Sequence, residues 1–366
     1  MIRSRAESSK NCGEFPAVID SAADASSLAP AVRRAESQIP RRRAGACSKA
    51  GAISIKTAVA WLRADDMEKY RGWSIYEVVM PLFHTTVLTG LAMLAFAGNS
   101  LLCRLALQSH SIDAASFTAV RLASGAAMLA LVVSLKRAPS TGVGNWMSAG
   151  LLFAYAALFS FAYGSLSAGV GALLLFGAVQ ATMVGVGLCR GETLAPRQWG
   201  GLVLAFGGLV VLLRPGLSAP PLGAALLMLL AGVAWGLYSL LGKGATDPVG
   251  VTAGNFLRTV PLSLLMLVLV QGQASLSTAG LMYALCSGML TSGLGYVAWY
   301  AALPQLKAGA AASIQLSVPL LAAIGAVSLL GEPWTMRLTL AGAAILGGIS
   351  LVVVTRFGGK PAVAKE

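Results

Sequence analysis

From about residue 83 the chain runs as long apolar segments separated by short breaks that carry Gly, Pro or charge. Each segment is close to the ~20 residues an α-helix needs to cross ~30 Å of hydrocarbon. The pattern predicts ten spans, at 85–105, 114–134, 146–165, 168–188, 197–213, 222–242, 251–270, 279–300, 307–329 and 337–356. The breaks after the third span, near Ser165 to Ser167, and after the eighth, near Pro304, are so short that nine is the competing count. In hydrocarbon every backbone polar group must be satisfied within the protein, and a helix does so within the segment itself. The expected fold class is therefore an all-α polytopic membrane protein.

Residues 1–80 have a different pattern. They hold 13 of the 27 basic and 9 of the 14 acidic residues, including Arg41-Arg42-Arg43 and Asp65-Asp66, and contain no long apolar run. A segment of this kind buries too little apolar surface to offset the entropy of ordering, so a disordered basic extension is expected, with a short helix near Ile53 to Leu62. It reads as a cytoplasmic tail, as a targeting segment that is too acidic for a good one, or as sequence ahead of a start at Met67 or Met80. Over all 366 residues, 56% are hydrophobic and 11% charged, with mean hydropathy +0.74. No ordinary soluble domain tolerates such a surface.

The net charge of +13 changes the picture only through its placement. If the spans alternate in direction, Lys136, Arg137, Arg190, Arg197, Lys243, Lys307, Arg356 and Lys360 fall on one side and Arg104, Arg214 and Arg337 on the other. The richer side is cytoplasmic by the positive-inside rule. Both termini then lie in the cytoplasm of a multi-pass protein of the inner (plasma) membrane. This basicity belongs to membrane loops, and no nucleic-acid partner is expected.

The two halves of the apolar region repeat. Gly191-Glu192, Arg197 and Gly207-Gly208 match Gly331-Glu332, Arg337 and Gly347-Gly348 at an offset of 140 residues. Ser100, Leu101, Leu102 and Arg104 match Ser239, Leu240, Leu241 and Lys243 at 139, and Arg121 matches Arg258 at 137. Matched charges in a charge-poor region are hard to obtain by chance. Residues 81–216 and 217–358 are thus read as two five-helix repeats, with 359–366 as a tail. Because five is odd, the second copy enters the membrane from the opposite side, and inverted repeats are a common basis for two related transporter conformations around a midplane site.

Several motifs resemble a known family: Gly98-Asn99-Ser100 in the first span, an Arg within Phe117 to Leu122 of the second, the Gly-Glu turns after the fourth and ninth, and Gln315-Leu316-Ser317-Val318-Pro319 followed by Leu329-Leu330-Gly331-Glu332. Over residues 85–356 the chain resembles the EamA-type drug/metabolite transporters. The resemblance implies a ten-span exporter of amino acids or related small metabolites, and the stretch before Met80 departs from it in length.

Ionisable residues inside a span are functional candidates, because a charge at the helix centre costs at least ~2.5–3.5 kcal/mol. Arg121 and Arg258 qualify. They are read either as snorkelling or helix-tying cations, or as a symmetric pair that steers or gates a substrate carboxylate near opposite faces. No Asp or Glu lies within a span, so proton coupling would have to use Asp113 at the mouth of the second. Glu192 and Glu332, each after Gly at a helix junction, are expected to cap the helix that follows.

Polar residues toward the middle of spans are expensive unless paired. Asn99, Gln180, Trp235, Tyr238 and Gln315, with Tyr300, are the candidate substrate contacts, and helix-to-helix hydrogen bonding is the competing use of each. Trp146 and Trp199 at span ends read as interfacial anchors, and Pro261 and Pro319 as kinks.

Other chemistries lack their residues. The two histidines, His84 and His110, and the five cysteines, Cys12, Cys47, Cys103, Cys189 and Cys286, form no ligand spacing, and no nucleotide-binding GxxxxGK[ST] occurs. The expectation is a carrier and not an enzyme, with no cofactor or metal, a small molecule and membrane lipids as partners, and a homodimer among its open assemblies. A carrier of lipid-linked sugars and a non-transporting scaffold are the alternatives.

Overall fold

The computed structural model describes residues 75–135, 143–214, 219–270, 275–306 and 308–358. Residues 1–74 of the expected extension, the expected tail 359–366 and the expected repeat boundary near 216 lie outside them. Contacts divide the chain into two units, Met1–His84 and Thr85–Glu366; the second carries the packing described below.

Among the described residues, ten helices are long and apolar enough to cross a membrane: Phe83–Gln108, Ala114–Ser134, Trp146–Tyr163, Ala168–Cys189, Pro196–Leu213, Leu222–Gly242, Pro248–Leu269, Thr278–Gln305, Ser313–Leu330 and Met336–Val353. They are called spans one to ten. The short breaks after spans three and eight are real breaks, so the chain is a ten-span, all-α, multi-pass membrane protein.

Local chemistry sets the ends of the helices. Asp113 Oδ1 accepts from the Ala115 and Ser116 amides at 3.0 and 2.9 Å to start span two, and Asp247 Oδ1 accepts from the Gly250 amide at 3.0 Å to start span seven. Each carboxylate satisfies amides that have no partner within their own helix. Asn145 does the same for span three, taking the Ser148 amide at 2.8 Å. Pro196 and Pro248 open spans five and seven, where a missing N–H costs nothing. Span nine closes on Gly331 in the left-handed conformation.

Two spans are irregular. Span eight is an α-helix over Thr278–Cys286, a π-helix over Ser287–Leu294 and an α-helix over Gly295–Ala302. Span nine breaks at Leu316, between Ala308–Gln315 and Ser317–Leu330. Pro319 falls in the first turn of the second piece, where its missing N–H has no intrahelical acceptor to lose. In place of a kink at Pro319, the helical hydrogen-bond ladder is interrupted three residues earlier, at Leu316, which stays in the right-handed helical region.

Packing follows the repeat. Span two lies on seven and eight, three on six and seven, four on six and nine, and five on ten. Span one meets eight through Phe96 and Tyr296, 5.7 Å between ring centres, and meets nine where Gly325 backs onto Leu101. Exchanging each span for the one five places further along maps this set of neighbours onto itself. Spans two and seven, four and nine, and five and ten pair with their own counterparts, while three–six becomes eight–one and four–six becomes nine–one.

Spans five and ten run antiparallel, with Gly201 against Gly348 and Gly208 against Ala341 and Ala344. A Cβ on Gly201 would sit 2.6 Å from the Gly348 carbonyl oxygen, so only glycine lets these backbones approach. Gly201→Leu is expected to push the two spans apart and lower the melting temperature in detergent, at an overpacking cost of about 1–3 kcal/mol. Gly207→Leu, where an added Cβ meets nothing within 4 Å, is the control, and equal melting of the two variants would refute the close-packing account. Outward faces are apolar, as Val203, Phe206 and Val210 of span five illustrate, at 70%, 67% and 54% exposed.

Candidate functional site

Polar and aromatic side chains from spans one, two, three, six, seven and eight meet between the halves. The meeting begins at Asn99 on span one, only 6% exposed. Its Oδ1 accepts from Ser287 Oγ at 2.8 Å, and its Nδ2 donates to Tyr155 Oη at 3.5 Å. Thr291 Oγ1 lies 3.4 Å from the same Asn99 oxygen and donates more closely to the Ser287 carbonyl, at 2.7 Å. An unpaired amide here would be expensive, and these hydroxyls complete it.

The π segment explains why span eight presents so many hydroxyls together. Its hydrogen bonds run from i to i+5, which brings residues four and five apart onto one face, whereas an α-helix groups those three and four apart. Ser287, Thr291 and Ser292 are all buried as a result. Span eight also lies unusually close to span two. A Cβ on Gly288 would run into Ser124 Oγ and the Arg121 carbonyl.

Arg121 occupies the centre of this arrangement and is 2% exposed. Its Nε donates to Ser292 Oγ and its Nη2 to Tyr155 Oη, both at 3.3 Å. The guanidinium carbon lies 5.1 Å from the Phe159 ring centre and 5.4 Å from that of Tyr155, within cation–π range. Among the described residues, no acceptor reaches its buried Nη1. Snorkelling is therefore corrected for this residue: the side chain turns into the protein.

Arg258 behaves differently despite its matching place in the repeat. Half-buried, it donates to the carbonyls of Val143 and of Gly254, the latter at 2.9 Å, and packs 5.9 Å from the Trp146 ring centre. It ties span seven to the approach of span three, as the helix-tying reading has it. The two arginines are sequence counterparts in unlike surroundings.

The aromatic wall surrounds Trp235. Its ring centre lies 4.8 Å from Tyr155, 5.4 Å from Tyr238 and 5.5 Å from Tyr296, the last nearly parallel at 18°. Tyr300 stacks on Tyr296 at 6.3 Å and accepts from Thr252 Oγ1 at 3.5 Å. Tyr238 Oη accepts from Asn255 Nδ2, also at 3.5 Å. Asn99, Arg121, Trp235, Tyr238 and Tyr300 thus join one network. Gln180, buried on span four, and Gln315, half-buried where span nine breaks, have no hydrogen bond to it among the described residues.

Sequence reasoning missed Ser287, Thr291 and Ser292 as site residues. The available signal was a run of small hydroxyl residues beside Gly288, Gly293 and Gly295 in one apolar span. Asp113 caps span two through Oδ1, while its buried Oδ2 meets no donor among the described residues.

One end of the interface is locked by charge. Arg104, at the end of span one, donates through Nε to Glu332 Oε1 at 3.0 Å and through Nη1 to the carbonyls of Tyr163 and Gly164 at 3.0 and 3.3 Å. Glu332 Oε2 accepts from the Ala168 amide at 2.9 Å. Glu332 therefore caps span four in the other half, and its expected role as the cap of the following helix is corrected. At the same end the 111–113 and 275–277 segments are stitched by Asp113 N to Ser275 O and Ser277 N to Ser111 O, at 3.1 and 2.8 Å.

Comparison with known proteins places these features in context. The model of the EamA-like transporter family matches residues 222–354. An uncharacterized protein of Pseudomonas aeruginosa is 59% identical over 280 residues, covering 76% of this chain and 98% of that protein. An uncharacterized transporter of Archaeoglobus fulgidus is 29% identical over 161 residues, covering 43% of this chain and 57% of that protein. A protein crystal structure shares the fold with a TM-score of 0.54 at 20% identity, covering 74% of this chain and 97% of its own.

Proposed function

Since the chain belongs to the EamA-like transporter family and is a membrane transporter of the drug/metabolite type, we propose that it exports small polar metabolites, with amino acids as the leading class, by alternating access. The observation that carries this reading is the buried network of Arg121, Asn99, Tyr155 and the Trp235 wall at the junction of two halves that exchange into one another. A site between such halves can be opened to either side by rocking one against the other. In this proposal the carrier sits in the inner (plasma) membrane with both termini in the cytoplasm, as the distribution of Lys and Arg among the loops favours, and its exposed apolar faces meet lipid. Neither a catalytic step nor a cofactor is part of the proposal, and a homodimer is compatible with it.

Purified protein reconstituted into vesicles preloaded with labelled amino acids tests the proposal. Release faster than from protein-free vesicles is expected for at least one amino acid. No acceleration across a broad panel would sink the amino-acid claim. The same assay under an imposed pH gradient decides proton coupling.

A lipid-linked sugar carrier is the second reading. The apolar groove on span five, lined by Phe206, Leu209, Val210 and Leu213 with Arg214 at its end, favours it. Arg104 does not add to that case, since its guanidinium is engaged by Glu332. Scrambling of a fluorescent prenyl-linked sugar between leaflets, without release of amino acids, would select it.

A further inference from the structure

We infer that Arg121 is the carboxylate anchor of the cargo, and that the best-bound cargo is a small organic carboxylate whose apolar body lies along the Trp235 wall. The inference rests on the transport reading above and names the class of molecule that reading leaves open.

The three arginines of the interior and its edges are used in different ways. Arg104 meets a carboxylate and two carbonyls, and Arg258 meets two carbonyls. Arg121 meets two hydroxyls, Ser292 Oγ and Tyr155 Oη, which orient its fork without neutralising its charge. A guanidinium has five N–H donors, and these two bonds engage two of them. The buried Nη1, which no acceptor reaches among the described residues, contributes two of the three that remain. A purely structural arginine held this deeply would be expected to satisfy those donors, because burying an unmet charge is costly. The guanidinium carbon lies over the Tyr155 and Phe159 rings, while the free N–H donors lie in the guanidinium plane, along the edge that a planar carboxylate binds through two parallel hydrogen bonds.

Charge balance narrows the class further. No Asp or Glu lies in any span, so a carboxylate at Arg121 closes the local charge, while an α-ammonium on the same cargo finds no anion and only the weaker attraction of ring faces such as Trp235. A carboxylic acid without the ammonium should therefore bind at least as tightly as the matching amino acid.

Binding to the full-length protein in nanodiscs, read by calorimetry, tests this apart from transport. The probes are two matched series: 3-phenylpropionate, L-phenylalanine and L-phenylalaninamide, and 4-methylpentanoate, L-leucine and L-leucinamide. In at least one series the carboxylates are expected to bind roughly ten- to hundred-fold more tightly than the amide, the span of a charge-assisted hydrogen bond. The desamino acid should equal or exceed the amino acid. Arg121→Gln should abolish the preference for carboxylate over amide, Arg121→Lys should keep part of it, and Tyr155→Phe should weaken it by removing a hydroxyl that orients the fork. The proposal is overturned if amides bind as tightly as carboxylates, if no carboxylate binds, or if the preference survives in Arg121→Gln. Carboxylate binding without movement in the vesicle assay would refute export and leave the anchor standing, whereas movement of cargo with no carboxylate preference would do the reverse.

Discussion

Arg121→Leu is expected to bring cargo release down to the level of protein-free vesicles, while the purified variant melts only modestly below the wild-type temperature. The two halves of this result come from the same cause. Arg121 is 2% exposed and has no anionic partner in the spans, so the folded protein carries its burial as an uncompensated cost of at least ~2.5–3.5 kcal/mol on insertion scales. A leucine removes that cost but ends at Cδ, so it leaves part of the guanidinium's space beside Phe159 unfilled. What is lost is two hydrogen bonds to hydroxyls, each contributing about 1.5–3 kcal/mol as bonds to a charged group, and the relieved burial offsets much of this, so stability is expected to fall only modestly. Transport has no such compensation, because an apolar side chain offers nothing to an anionic or polar cargo. Wild-type release rates in the Leu variant, at matched protein per vesicle, would remove Arg121 from the mechanism. A large drop in melting temperature would instead make it a structural residue.

Glu332→Ala should have the opposite signature, with stability falling first. The side chain is 8% exposed and that of Arg104 is 15% exposed, so the substitution leaves Arg104 largely buried without its carboxylate and strips the Ala168 amide of its acceptor. Breaking a buried pair by removing one partner costs about 3–5 kcal/mol. The low end applies here, because Arg104 retains the carbonyls of Tyr163 and Gly164. Glu332→Gln keeps one acceptor oxygen, for either Arg104 Nε or the Ala168 amide, and sets an NH2 against the other donor, so it should recover only part of the loss. The cycle of Arg104→Ala, Glu332→Ala and the double variant, followed by thermal unfolding in detergent, isolates the coupling. A coupling energy indistinguishable from zero would mean that the pair does not lock this end. Glu192→Ala, in the exposed corresponding turn of the other half, is expected to cost less.

These two residues show how far a sequence reading reaches. Charge rarity alone singled out Arg121, and the Gly-Glu repeat singled out Glu332. Neither signal could say what the side chain touches. Arg121 and Arg258 occupy matching places in the repeat, yet one is enclosed by Tyr155, Phe159 and Ser292 while the other holds the carbonyls of Val143 and Gly254. A matched position along the chain does not bring matched neighbours with it. Gln180 and Gln315 looked as suitable as Asn99 by depth, but only Asn99 faces span eight and its hydroxyls.

The ten spans and the matched residues of the two halves were determined by the sequence alone. Both depend on something local: the length of an apolar run against the thickness of hydrocarbon, and the recurrence of the same residues at offsets of 137–140. The tertiary structure alone decided the π segment of span eight, the reach of Glu332 across to span four and the unsatisfied edge of Arg121. All three depend on which helices become neighbours, and in a chain where almost every face is apolar, hydrophobicity cannot choose among neighbours. Close approach at glycines and the need to satisfy a few buried polar groups make that choice, and both are properties of pairs of helices brought together from distant parts of the chain.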